Sequence, residues 1–148
     1  MNRRSGSSSA PRRQRGAAAV EFAIVAAVFL MLLIGAMEMG RLLWTWNAAA
    51  EATRLGARLA VVCDQGDTDI VARMQRMLPG LPAANVSISY VPSGCTVSTC
   101  QAVTVSIVGY QHTPVIPFVP MTVNLPTFST RLPREAMSSA GNPVCTAT

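Results

Sequence analysis

The chain has 148 residues, half of them apolar, which is too few for two sizeable domains once a membrane helix is set aside. Its net charge of +5 resides in one place: Arg3, Arg4, Arg12, Arg13 and Arg15 all precede Gly16, and no acidic residue does. From Ala17 onward seven arginines balance seven acidic residues, so the body of the chain offers no electrostatic footprint for nucleic acid.

Residues 1–16 form a Ser/Gly/Pro/Arg leader with nothing apolar to bury, and disorder is expected there. Its five arginines predict a cytoplasmic N-terminus and place the rest of the chain outside the cytoplasm.

Residues 17–40 read as a transmembrane helix, and Phe22 to Met37 holds no charged or strongly polar side chain. At ~1.5 Å rise per residue, Ala17 to Gly40 reaches about 36 Å, against a hydrocarbon core of roughly 30 Å. Glu21 and Glu38 then sit near opposite faces of the bilayer. The large apolar residues from Phe22 to Ile34 favour insertion by about 3–5 kcal/mol, against about 2.5–3.5 for an acidic residue at the centre and less near an edge. Insertion wins, and Glu21 is a costly charge that calls for a partner. Ala19, Ala23 and Ala27, then Ala36 and Gly40, recur at four-residue spacing and would let a second helix approach closely. Glu38 and Arg41 are spaced to pair at the outer interface, where Trp44 and Trp46 would form an aromatic belt.

The helix is expected to continue to Val62. Over 41–62, Ala48, Ala52, Leu55, Leu59 and Val62 form an apolar stripe, and Asn47, Glu51, Arg54 and Arg58 a solvated one. Residues 63–148 read as a small extracytoplasmic α+β domain. Asp67 caps a short helix reaching Leu78, with Ile70, Val71, Met74, Met77 and Leu78 inward and Arg73 and Arg76 outward; Pro79-Gly80 ends it. Period-two alternation marks strands at Val86–Val91 and Ala102–Tyr110. Pro114, Pro117 and Pro120 punctuate a loop holding His112. A last strand or strand pair covers Thr122–Leu132, interrupted at Pro126, and coil follows from Pro133.

Cys63, Cys95, Cys100 and Cys145 all fall on the outer side, and an even count in an oxidising compartment reads as two disulfides. Four cysteines allow three pairings. The preferred one closes the short Cys95–Cys100 loop and leaves Cys63 with Cys145, tying the end of the long helix to the C-terminal tail. Zinc is the competing reading, but there is no C-x-x-C and His112 is the sole histidine. No nucleophile motif, metal spacing or phosphate loop is present, so neither an enzyme nor a cofactor is expected.

One constellation is more specific. Gly16-Ala17-Ala18-Ala19-Val20-Glu21-Phe22 joins a basic leader, a glycine, an apolar helix and a glutamate followed by an aromatic. It resembles the processing site of type IV prepilins. That resemblance implies cleavage between Gly16 and Ala17 by a membrane-embedded prepilin peptidase, with Glu21 as fifth residue of the product, matched by an α-amino group of its own chain or a neighbour's. With Ile34-Gly-Ala-Met-Glu-Met-Gly-Arg41 and Ala52-Thr-Arg-Leu-Gly-Ala-Arg58, the stretch from Arg15 to Val62 resembles the TadE-like pilus-assembly family of tight-adherence (Flp) systems. Ala26-Ala27 stand where that family pattern would place an early proline.

The resemblance implies a pilin-like fold, with a long N-terminal helix packed on a small disulfide-bonded antiparallel sheet. It implies a minor pilin or pseudopilin in the bacterial inner membrane, single-pass and able to enter an extracellular pilus. Its partners would be other pilin-like subunits and the major pilin, the prepilin peptidase, the inner-membrane platform with its ATPase, and membrane lipid. The alternatives are an uncleaved signal anchor carrying an adhesive or scaffolding domain, and a secreted protein cut after Ala48-Ala49-Ala50. An apolar region flanked by Glu21 and Glu38 fits an ordinary signal peptide poorly.

Overall fold

The computed structural model describes residues 14–115 and 121–145. Arg3, Arg4, Arg12 and Arg13 of the leader, and Pro117 and Pro120, lie outside the described residues, as does the side chain of Arg15. The elements in chain order are α1 (Gln14–Ala60), α2 (Thr68–Met77), a 3-10 turn (Ala83–Asn85), β1 (Val86–Val91), β2 (Ala102–Ile107), β3 (Gln111–His112), β4 (Val123–Asn124) and β5 (Phe128–Pro133). The chain divides into two compact units, Met1–Met37 and Glu38–Thr148, and α1 contributes to both.

In the first unit α1 runs without a break through Ala26-Ala27. Its large apolar side chains are exposed: Phe22, Val25, Phe29, Leu32 and Met37 all face outward. An all-round apolar helix with no described residue packed over it has the composition and length to cross a membrane.

In the second unit α1 buries a stripe of small side chains. Ala49, Ala52, Gly56, Ala57 and Ala60 are buried, while Asn47, Glu51, Arg54 and Arg58 are exposed as their spacing predicts. Glu51 and Arg54 pair one turn apart on that solvated face. The helix stops at Ala60 rather than Val62, because the last turn tightens: the Val62 N–H donates to the Leu59 carbonyl at 3.0 Å. Carbonyls freed at the helix end are taken up by the C-terminal tail. Glu135 and Met137 N–H groups donate to the Val61 carbonyl, and Ser138 N–H to that of Val62.

Over residues 134–145 the tail has no helix or strand but is not loose coil. The Cys63–Cys145 bridge anchors it, and Met137 is 1 % exposed in the core. Asp67 caps α2 by accepting from the Asp69 N–H at 3.0 Å. Ser139 Oγ donates to the other Asp67 oxygen and accepts from the Asp64 N–H, so the tail also braces this cap. On α2, Ile70, Met74 and Leu78 are buried as expected. Met77 is exposed, and Arg73 is half-buried rather than turned outward.

The sheet has order β1-β2-β5 and is antiparallel throughout. Val103, Val105 and Ile107 of the central strand are buried against the core, opposite Tyr90, Ile88 and Val86 on β1 and Leu132, Thr130 and Phe128 on β5. β2 ends at Ile107, short of Tyr110. Asn85 pulls the chain aside there: its carbonyl accepts from the Val108 N–H and its side-chain amide donates to the Val108 carbonyl. Gly109 follows at φ +66° and turns it. His112, expected in a loop, lies on β3 and pairs with Val123 of β4. Pro126 lies between β4 and β5, so the expected last strand is two strands, and they join different sheets, β4 with β3 and β5 with β2.

Candidate functional site

Gly16, Ala17, Glu21 and Phe22 occupy successive turns of α1, all exposed. A Cβ at Gly16 would meet nothing within 4 Å, and its backbone is ordinary helix. Packing therefore gives no reason for glycine at this position, where alanine would favour the helix by about 0.5–1 kcal/mol. Ala17 and Glu21 stand four apart on one helix face. Ala19, Ala23, Ala27, Ala36 and Gly40 are likewise exposed, and no described residue packs where a Cβ on Gly35 or Gly40 would stand.

The second grouping was only half legible. Glu38 and Arg41 form the ion pair their spacing predicts, at 2.7 Å. Sequence reasoning missed the rest: Glu38 Oε1 also accepts from the Val115 N–H at 3.2 Å. His112 is 7 % exposed, with Nε2 at 3.8 Å from Glu38 Oε2 and Nδ1 at 3.4 Å from Thr45 Oγ1. The Thr45 hydroxyl donates to the Arg41 carbonyl, which leaves its lone pairs for His112. The lone histidine thus fastens β3 to α1 rather than serving as an exposed acid–base group. Trp46 also packs edge-on against Phe128 of β5, with ring centroids 5.3 Å apart. Thr130 Oγ1 donates to Thr53 Oγ1 one strand turn further along, so β5 is tied to α1 at two points.

Both preferred disulfides are present, Cys63–Cys145 and Cys95–Cys100. Asp67 lies near the first bridge, but its two sulfurs are bonded to each other and the carboxylate caps α2, so the group is not a cation site. Gln65 braces the second bridge, its amide donating to the Cys95 carbonyl at 3.1 Å and to Cys100 Sγ at 3.0 Å.

The architecture is one long N-terminal helix whose second half packs on a small disulfide-bonded antiparallel sheet. The model of the family described as TadE-like protein matches residues 16–58, opening on the glycine and closing within the last turns of α1. The resemblance drawn from the motifs is thereby borne out for that segment. No curated protein and no solved structure matches the chain.

Proposed function

We propose that this chain is a minor pilin or pseudopilin of a tight-adherence pilus. In this reading, residues 1–16 are a cytoplasmic leader removed by a prepilin peptidase and 17–40 span the inner membrane. Residues 41–62 continue outward, and 63–148 complete an extracytoplasmic domain. The observation that carries it is the coincidence at Gly16: the family match begins there, and the fold supplies no steric or conformational reason for the residue. A recognition role supplies one. Glu21 then pairs with the new amino group at Ala17 or with that of a neighbouring subunit, which offsets the cost of holding a carboxylate in lipid. The exposed small residues at four-residue spacing, Ala19, Ala23 and Ala27 and then Ala36 and Gly40, suit close packing on other pilin-like helices, including the major pilin. Platform and ATPase would extract the subunit from the membrane.

Gly16→Val tests the processing site directly. The side chain has open space, so the helix and membrane insertion are retained. The expected outcome is accumulation of the full-length chain in cells where the unaltered chain is shortened. A normally shortened Gly16→Val product would refute the site.

A further inference from the structure

The two disulfides stand in different surroundings. Cys63 and Cys145 are both buried, and their bridge holds the tail against the end of α1. In the second bridge Cys100 is buried, but Cys95 is partly exposed and the loop between them, Thr96 to Thr99, is exposed throughout. An external thiol therefore meets Cys95 more readily than the other three cysteines. The Gln65 amide separates the same two sulfurs. Its nitrogen lies 3.0 Å from Cys100 Sγ and 4.0 Å from Cys95 Sγ. A disulfide sulfur accepts a hydrogen bond weakly, whereas a thiolate accepts it strongly because it is charged. The Gln65 N–H thus contributes most when Cys100 carries the negative charge.

The turn that carries Gln65 is fixed on both sides. Cys63 precedes it in the buried bridge, and Asp67 follows it, bound to the Ser139 hydroxyl and the Asp69 N–H. The Gln65 amide is also aimed by the Cys95 carbonyl, to which it donates at 3.1 Å. The loop has supports besides its own bridge. The Cys100 N–H donates to the Thr96 carbonyl at 3.0 Å, the Cys95 N–H to the Pro92 carbonyl at 3.2 Å, and Arg134 Nη1 to the Val97 carbonyl at 2.6 Å. None of these bonds requires the sulfur–sulfur bond, so the two cysteines stay near one another when it is open.

We propose that Cys95 Sγ is a site of thiol–disulfide exchange, with a cysteine of a thiol–disulfide oxidoreductase as its partner. The partner's thiolate forms a bond to Cys95 Sγ. The Cys95–Cys100 bond breaks, and its electron pair leaves on Cys100 Sγ as a thiolate that the Gln65 N–H stabilises. A stabilised thiolate leaves faster. One disulfide and one thiolate are consumed and one of each is formed, so no further oxidant or reductant is needed. The reverse step closes the bridge: the Cys100 thiolate attacks Cys95 Sγ of the mixed disulfide and expels the partner's thiolate. Gln65 is a positioning residue for this step, and the buried bridge beside it does not exchange. Exchange at Cys95 does not depend on processing at Gly16.

The probe is reduced glutathione, added to the oxidised full chain in detergent micelles. Acid stops the exchange at successive times, and pepsin digestion with fragment-ion mass spectrometry locates the glutathione. The expected early adduct is on Cys95, at least about ten times as abundant as on Cys100, with Cys63 still linked to Cys145. Adducts on Cys100, adducts shared equally between the two, or earlier opening of Cys63–Cys145 would overturn the site, and so would a chain that forms no adduct. Gln65→Leu tests the leaving group. Loss of the hydrogen bond to the departing thiolate should slow adduct formation by about tenfold. If Gln65 only braced the loop, its removal would expose the bridge and speed the exchange. A faster or unchanged rate in Gln65→Leu would therefore overturn the role given to Gln65.

Discussion

At Gly56 a Cβ would stand 2.5 Å from Met74 Sδ and 3.1 Å from Val105 Cγ1. Here α1, α2 and the central strand meet, and the absence of a side chain is what lets them. Gly35, on the same helix, has open space around it. Substituting Gly56 with Val should cost about 1–3 kcal/mol through overpacking, although any residue with a Cβ favours the helix itself. Denaturant unfolding followed by Trp fluorescence reads this, since Trp46 packs on Phe128. Gly35→Ala should leave the midpoint unchanged or slightly raised, and equal loss in both variants would refute the packing account. Glu21 makes the complementary case. It is exposed on α1, so Glu21→Ala should leave the outer unit's unfolding midpoint and membrane insertion intact while impairing pilus formation. Unchanged piliation would count against a role in subunit register. At this scale the sequence showed what is local. The Glu38–Arg41 pair lies one turn apart and could be read. The contact of Thr45 with His112 joins residues 67 positions apart, and a histidine among prolines gave no sign of it.

The elements were legible where a single period dominates. Helical spacing marked both faces of α1 beyond the apolar run, and alternation marked β1 and β2. Boundaries were less so, because they are set by partners distant in sequence. Asn85 bonds Val108 and ends β2 early, and a two-residue strand such as β3 exists only because β4 lies beside it. The C-terminal tail was read as coil for the same reason: its hydrogen bonds go to the end of α1 rather than to a regular neighbour. That tail makes a stability prediction. The two disulfides close loops of very different size, with separations of 82 and 5 residues. In the chain-entropy account they constrain the unfolded chain by about 4.5 and about 2 kcal/mol respectively. The paired variant Cys63→Ser with Cys145→Ser should therefore lower the thermal midpoint more than Cys95→Ser with Cys100→Ser. The reverse order would show that the tail contributes little to the fold.

For the molecule as a whole, the α+β class was readable from one apolar run followed by helical and alternating stretches, whereas the disulfide pairing was a preference among three that the structure bears out. What periodicity did not show is how β5 attaches to α1. Trp46 against Phe128 and Thr53 with Thr130 are tertiary pairs between residues that, alone, read as a membrane belt and as ordinary strand positions. The account's central claim is that the chain is made as a precursor and matures at Gly16. Intact mass and N-terminal sequencing of the protein from its native membrane test it most directly. The account predicts a mature chain beginning at Ala17. A chain beginning at Met1 in cells with an active prepilin peptidase would contradict it and favour the plain signal anchor. A chain beginning at Glu51 would mean that the apolar helix is discarded.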